Sequence, residues 1–307
     1  MADTDPYLHP PLHAVRDAVA RALAEDLTPL GDLSAALLPA DARAEAEFVV
    51  RTAGVLAGTS CATEAFRQID ERIRVEWLSA EGVLVGAGTV VGRVRGPLPQ
   101  ILTAERTALN FLGHLSGIAT RVRALVVVLR NAGGDDAPRV WDTRKTTPGL
   151  RALEKAAVRA GGGRNHRGNL SDWVMLKDNH LTRLGIAAGV AQARDLWPGR
   201  TIHVECERPA QVLEAVRAGA DAILLDNMTP EQITECVALV NDAGLGPRRP
   251  LLEISGGVTL ENAASYARTG ADMISSGSLT NSAPVLDIGL DIRPGNGARA
   301  TPGGAGN

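Results

Sequence analysis

Residues 201–226 read TIHVECERPAQVLEAVRAGADAILLD, and this stretch decides the fold. Its two ends, Thr201–Glu205 and Ala222–Asp226, are short β-prone runs, and the apolar residues between them recur at helical spacing. Strand, helix and strand in that order describe two parallel strands joined by a crossover helix. A second copy of the junction lies downstream, since Arg217-Ala218-Gly219-Ala220-Asp221-Ala222-Ile223 recurs as Arg268-Thr269-Gly270-Ala271-Asp272-Met273-Ile274. In each copy a glycine ends a helix and the chain enters a strand. Further β-like runs at Val140–Thr143, Trp173–Lys177, Leu251–Ser255 and Met273–Ser276 bring the count after Pro138 to about six, fewer than the eight of a complete barrel. An incomplete α/β barrel is the preferred reading, and an open doubly wound sheet is the alternative.

Strand alternation sorts the faces of these segments. Ile202, Val204 and Cys206 are expected to face the helix layer, which turns His203, Glu205 and Glu207 toward the barrel interior. By the same rule Asp226 and Lys177 end their strands, and Arg144 and Lys145 follow theirs. All of them fall at the C-terminal mouth, where barrel active sites sit. Upstream, Leu12–Ala24 has helical periodicity, and a turn follows at 28–32. Runs at Glu47–Arg51, Arg74–Leu78 and Val83–Val94 predict an antiparallel sheet in a small α+β domain, and a long helix is expected over Thr103–Arg130. The ends, Met1–Pro11 and Arg293–Asn307, have the composition of unstructured segments.

The chain of 307 residues is 45% hydrophobic, enough for a substantial core. A formal net charge of -3 lacks the basic excess of a nucleic-acid binder, so an anion site here must be local. Cys61, Cys206 and Cys236 show no paired spacing and leave one cysteine over, as in a reducing compartment. The N-terminus lacks the basic start and apolar run of a signal peptide, and no stretch is read as approaching roughly 18 apolar residues. A cytoplasmic protein with no membrane and no nucleic-acid partner is expected.

Between Asp142 and His180 lie Arg144, Lys145, Arg164, His166, Arg167, Lys177 and His180, with a glycine triplet at 161–163. Exposed Arg and Lys are usually solvated surface charges, but placement at strand ends beside glycines favours a functional cluster. Guanidinium forks suit carboxylates and phosphates, lysine serves as a point charge, and several together suit a ligand with several anionic groups. Ser255-Gly256-Gly257 and Ser276-Gly277 end late strands with small residues whose backbone N–H groups can surround a phosphate. A P-loop and a dinucleotide-binding glycine fingerprint are both missing, which argues against nucleoside triphosphatases and Rossmann dehydrogenases. Glu205 and Asp226 could hold Mg²⁺ or accept from sugar hydroxyls. A transition-metal site of His203, Glu205 and Glu207 is disfavoured because alternate strand residues fan out and no further His or Cys cluster accompanies them. The sequence also lacks a nucleophile elbow.

With these residues in place, the chain closely resembles the quinolinate phosphoribosyltransferase family. The matching stretches are EDLTPLGDLS near Glu25, AERTALNFLGHLSGIAT from Ala104, DTRKTTPGLRALEKAAVRAGGGRNHRGNLSD from Asp142, MLKDNH from Met175, ILLDNM from Ile223, EISGGV from Glu253 and the closing SSGSLTNSAPVLDIGLDI. The likeness runs from about residue 12 to residue 292. It implies an N-terminal α/β open sandwich over 1–115, rejoined by about 285–292, an incomplete barrel over 116–284 and a disordered tail over 293–307. It further implies transfer of the phosphoribosyl group of phosphoribosyl pyrophosphate to quinolinate with decarboxylation, giving nicotinate mononucleotide in NAD biosynthesis. Mg²⁺ would be the cofactor and a homodimer with shared active sites the assembly. By motif position, Arg106 from a partner subunit, Arg144, His166, Arg167 and Lys177 would line the quinolinate site, with Lys145 near the transferring group. Glu205 and Asp226 would serve the ribose hydroxyls and metal, and Ser255, Gly256, Gly257, Ser276 and Gly277 the 5-phosphate. Lys145, Lys177, Glu205 and Asp226 are the expected catalytic set. Two positions depart from the family pattern: Asn281 stands where histidine is frequent, and Ala156 where tyrosine is common. Alternatives are a Schiff-base aldolase using Lys145 or Lys177, a non-catalytic anion-sensing barrel, and a related transferase of the same fold that lacks the dicarboxylate cations.

Overall fold

The computed structural model describes residues 6–293. Along the chain run α1 (Leu12–Leu27), β1 (Arg43–Val50), β2 (Gly54–Val55), α2 (Thr59–Ile69), β3 (Arg74–Trp77), β4 (Leu84–Val85), β5 (Val90–Pro97) and α3 (Leu98–Gly133). Then come β6 (Arg139–Trp141), α4 (Arg151–Ala160), β7 (Val174–Leu176), α5 (Asp178–Leu184), α6 (Ile186–Leu196), β8 (Ile202–Cys206), α7 (Pro209–Ala218), β9 (Ala222–Asp226) and α8 (Pro230–Asp242). The last elements are β10 (Leu251–Ser255), α9 (Ala263–Tyr266), β11 (Met273–Ser275), α10 (Ser278–Asn281) and β12 (Ile288–Arg293). These form two compact units, one of residues up to Gly117 together with the chain from Pro284, the other Ile118–Ala283.

The first unit is built on an antiparallel sheet of order β12-β1-β5-β3, with β2 and β4 as a separate two-stranded ladder. Phe48 and Phe66 are fully buried, and the Phe48 ring stacks on Trp77 at 4.9 Å. Helix α2 was not among the expected elements. Its start is fixed from a distance: the Glu81 carboxylate accepts from the backbone N–H groups of Gly58 at 2.6 Å and Thr59 at 3.2 Å, so no local capping residue marks the helix. The supposed unstructured ends are partly ordered. Pro6–Leu8 forms a 3₁₀ turn and Arg293 closes β12, while residues 1–5 and 294–307 lie outside the described residues.

One further correction concerns α3, a 36-residue helix. By length and composition it is apolar enough to cross a membrane, against the reading that no such stretch exists, but 56% of its most apolar window is buried inside the protein. A long core helix passes the same composition test.

The second unit is a six-stranded parallel sheet of order β6-β11-β10-β9-β8-β7. Its edges, β6 and β7, are consecutive in the chain, as in an α/β barrel opened between its first two strands. The outer faces carry Ile202, Val204, Ile223, Leu225, Leu252 and Ile254, all buried against the helix layer. On the inner face the register runs Glu205, Leu224, Glu253 and Met273 across four neighbouring strands. His203 and Glu205 therefore point inward as expected, whereas Glu207 lies past the end of β8 and is exposed.

The repeated Arg-x-Gly-Ala-Asp junction has a physical reason. Gly219 and Gly270 both adopt left-handed φ values, 80° and 83°, but only Gly219 ends its helix, since α9 stops at Tyr266 and Gly270 lies in the connection beyond it. The following Asp221 and Asp272 each accept at 2.7 Å from a backbone N–H of the neighbouring strand, Ile202 for the first and Leu252 for the second. Each aspartate thus secures the N-terminal end of the adjoining strand.

Candidate active site

The free edge of β6 carries a short extended piece, because Arg164 bridges Trp141 in parallel and exchanges backbone bonds with Val140 at 2.8 Å and Asp142 at 3.1 Å. That pairing delivers Asn165, His166 and Arg167 to the mouth of the barrel without a strand of their own. It also explains the glycine triplet. A Cβ on Gly161 would sit 2.5 Å from the Ala119 carbonyl, and one on Gly163 would sit 2.9 Å from Val122 and Val158 side chains. These two glycines serve close packing on α3 and α4, and Gly162 between them takes a left-handed φ of 92°.

Asp142 organises this arm and is itself fully buried. It accepts from Lys155 Nζ at 2.5 Å, from the His166 backbone N–H at 2.8 Å and from Asn165 Nδ2 at 2.7 Å. Lys155, buried and also bonded to the His166 carbonyl at 2.8 Å, was absent from the expected cations. Its position inside α4 gives no sequence signal. Burial pushes the Asp142 carboxyl up and the Lys155 ammonium down, and mutual pairing opposes both shifts. Arg151 supports the preceding loop by donating to the Gly168 carbonyl at 2.9 Å and the Arg144 carbonyl at 3.2 Å.

The expected cations separate into two groups. Arg167 is buried; its pKa is lowered first by that burial and next by the neighbouring Arg144 guanidinium. The Arg144 Nε is buried without a hydrogen-bond partner within the protein, an arrangement suited to an incoming anion. Lys177 pairs with Glu205 across β7 and β8, and the pair is partly open to solvent. Lys145 is exposed, and its side chain lies over Gly277, whose hypothetical Cβ would be 2.6 Å from the Lys145 Cδ. Its carbonyl accepts from Thr280 at 2.7 Å, tying the loop after β6 to the loop after β11. By contrast, Arg164 is exposed and lines a different cleft of about 420 Å³ with Arg123, Arg130 and Arg139. His180 caps α5 by accepting from the Lys177 N–H at 3.1 Å. Arg106 is exposed on α3 in the first unit.

Asp226 ends β9 and accepts from Asn227 Nδ2 at 2.8 Å. Glu205 and Asp226 thus project from the C-terminal ends of adjacent strands, an all-oxygen donor set of the kind that holds Mg²⁺ by one or two carboxylates with substrate phosphates completing the shell. The glycine loop after β10 needs its composition. Gly256 has φ 90°, and a Cβ there would meet Asn227 Oδ1 at 2.2 Å. Ser276 donates to the Val258 carbonyl at 3.1 Å, joining this loop to the one after β11. Of the departures from the family pattern, Ala156 is buried in α4 and Asn281 is exposed, bonded to Ser282 at 2.7 Å.

A buried cluster lies below these groups. His166 Nε2 stands 3.1 Å from Glu253 Oε2, and the His166 ring stacks on His203 at 5.6 Å and contacts Trp173 edge-on at 4.7 Å. His203 Nε2 is 3.2 Å from the same Glu253 oxygen but outside hydrogen-bond geometry, and it has no other partner. Among the described residues these three are the set whose donor atoms converge closely enough for a metal, not His203 with Glu205 and Glu207. The cationic neighbours Arg167 and Lys177 act on the same cluster, which favours an anion nearby over an added dication.

Burial pushes the His203 imidazole down to about 4 from its usual 6.5; Glu253 opposes the shift, while His166, Arg167 and Lys177 add to it. Between those values the unfolded chain binds a proton that the folded chain does not. This contribution to stability is complete above the unfolded value and is lost as pH falls toward and through the folded one, the loss reaching about 2 kcal/mol by pH 5. Urea midpoints at pH 5 and pH 7.5 check it: a His203→Leu variant should show a flatter pH dependence than the wild type, and equal slopes would refute the assignment.

Comparison with known proteins matches residues 118–291 to the family described as quinolinate phosphoribosyl transferase, C-terminal domain, and residues 32–116 to the corresponding N-terminal domain. A probable carboxylating nicotinate-nucleotide pyrophosphorylase of Bacillus subtilis is 39% identical over 268 residues, covering 87% of this chain and 89% of that one. The carboxylating enzyme of Mycobacterium leprae is 38% identical over 283 residues, covering 91% and 97%. The solved structure of the nicotinate-nucleotide pyrophosphorylase from Francisella tularensis superposes with a TM-score of 0.87 at 34% identity, covering 95% of this chain and all of that one.

Proposed function

This chain belongs to the quinolinate phosphoribosyl transferase family, and from that premise we infer that it is a pentosyltransferase joining quinolinate to phosphoribosyl pyrophosphate with loss of CO₂. The observation that carries the reading is the meeting of Arg144, His166, Arg167 and Lys177 at one strand-end face, with the Arg144 Nε buried and unpartnered. A pyridine dicarboxylate needs that density of fixed cations, and a phosphate-binding barrel without a dicarboxylate substrate does not.

Arg144, Arg167 and His166 hold the two carboxylates and orient the ring, with its nitrogen toward the anomeric carbon of the sugar. The glycine loops after β10 and β11, with Ser255, Gly256, Gly257, Ser276 and Gly277, hold the 5-phosphate. Glu205 and Asp226 would hold Mg²⁺ and the ribose hydroxyls; the ion, when bound, would neutralise charge on the pyrophosphate. Lys145 adds positive charge toward the same leaving group, Lys177 adds it beside the quinolinate carboxylates, and the carboxylates of Glu205 and Asp226 offset the positive charge that develops on the sugar. The ring nitrogen lone pair forms the bond to C1 as the C1–O bond breaks, and that electron pair leaves on pyrophosphate. The bond from ring carbon 2 to its carboxylate then breaks, CO₂ departs, and the pair left on carbon 2 beside the cationic nitrogen takes up a proton.

Arg106, exposed on the first unit, is assigned to the quinolinate site of a partner subunit in a homodimer. The three cysteines are all free and buried, in keeping with a reducing, cytoplasmic setting. An aldolase role for Lys177 fits less well, because its ammonium is held by Glu205, whereas a Schiff-base lysine is a desolvated amine. The test is an assay of protein, Mg²⁺ and phosphoribosyl pyrophosphate with either quinolinate or nicotinate. Turnover is expected with quinolinate, and turnover with nicotinate alone would refute the reading.

A further inference from the structure

Glu253 is 1% exposed on the inner face of β10, and the reaction outlined above gives it no part. Burial alone would raise its pKa; the His166 hydrogen bond, the two imidazoles and a Ser275 hydrogen bond overcome that and hold it below the usual carboxylate range. An ionised carboxylate only accepts, so the proton between Glu253 and His166 lies on His166 Nε2, and Nδ1 is left as the ring atom able to meet a ligand. The aromatic neighbours Trp141, Trp173 and His203 confine the plane of the ring but do not choose between its edges. Glu253 makes that choice.

We propose that Glu253 is a positioning residue for the pyridine dicarboxylate: it fixes the tautomer and orientation of His166 and thereby sets affinity for quinolinate, but not for the phosphoribosyl donor. This deepens, and rests on, the assignment of His166 to the quinolinate site. The two substrates meet different parts of the barrel mouth, so the effect is separable in steady-state kinetics.

Glu253→Gln keeps the shape but loses the charge and offers its own N–H donors, which compete with the required pairing. Its KM for quinolinate is expected to rise about 10- to 100-fold, while the KM for phosphoribosyl pyrophosphate stays within about twofold. A cycle with His166→Ala separates positioning from general structural support. In the His166→Ala background, Glu253→Gln should cost less than about twofold in kcat/KM for quinolinate. An equal cost in both backgrounds, or an equal rise in both KM values, would overturn the proposal. If Glu253→Gln does not fold, Glu253→Asp keeps the charge but withdraws it from the His166 Nε2 that stands 3.1 Å away; it should raise the quinolinate KM alone, and unchanged kinetics would equally overturn the proposal. Wild-type protein inactive on quinolinate would instead defeat the parent assignment, which keeps the two failures apart.

Discussion

Arg144→Ala is expected to lower kcat/KM for quinolinate by about 10²- to 10³-fold, with the folded state retained. The guanidinium is half-buried at the end of β6, its Nε meets no acceptor in the protein, and its positive charge already bears on Arg167. Two cations held this close repel each other, and a bound carboxylate relieves that repulsion. Removing Arg144 therefore takes away a charged contact to substrate while slightly easing the free enzyme, and the loss falls on the complex. A urea midpoint measured beside the kinetics separates the two effects, and near-normal turnover in a folded variant would contradict the assigned role.

Asp142→Ala is expected to cost about 3–5 kcal/mol of stability, because it leaves the Lys155 ammonium buried without its partner. The cost does not end at the ion pair. Asp142 also accepts from the His166 N–H and from Asn165, so the arm beyond Arg164 loses its side-chain anchor while the Arg164 backbone pairing with β6 remains. Activity should fall with stability even where the variant still folds. Replacing both members with apolar residues, as Asp142→Leu with Lys155→Met, should recover part of the stability but none of the activity, since the side-chain anchor is still missing. Urea unfolding of the three variants checks the ordering. A single variant as stable as the wild type would show that the pair is not the constraint described.

Most of the barrel was legible because parallel strands announce themselves by local composition. The six β-like runs after Pro138 correspond to β6 through β11, and the duplicated Gly-Ala-Asp junction marks two strand entries. What could not be read was long-range. Helix α2 is started by Glu81, more than twenty residues downstream, and nothing near Thr59 reveals it. The glycine triplet counts in the sequence as support for a functional cluster, yet Gly161 and Gly163 pack against Ala119, Val122 and Val158. Lys155 lies in a helix with other charged residues and Glu253 in an apolar strand, and only the folded chain shows that one anchors the cationic arm and the other faces His166. Arg164 was grouped with the anion-binding cations by proximity in sequence, but its side chain turns to a separate cleft because its backbone pairs with the edge of β6.

The most direct measurement follows the fate of the carboxylate on ring carbon 2. Quinolinate labelled with ¹³C in that group, incubated with the protein, Mg²⁺ and phosphoribosyl pyrophosphate, should release one labelled CO₂ for each pyrophosphate formed and leave unlabelled nicotinate mononucleotide. Label retained in the nucleotide, or pyrophosphate released without labelled CO₂, would contradict the account.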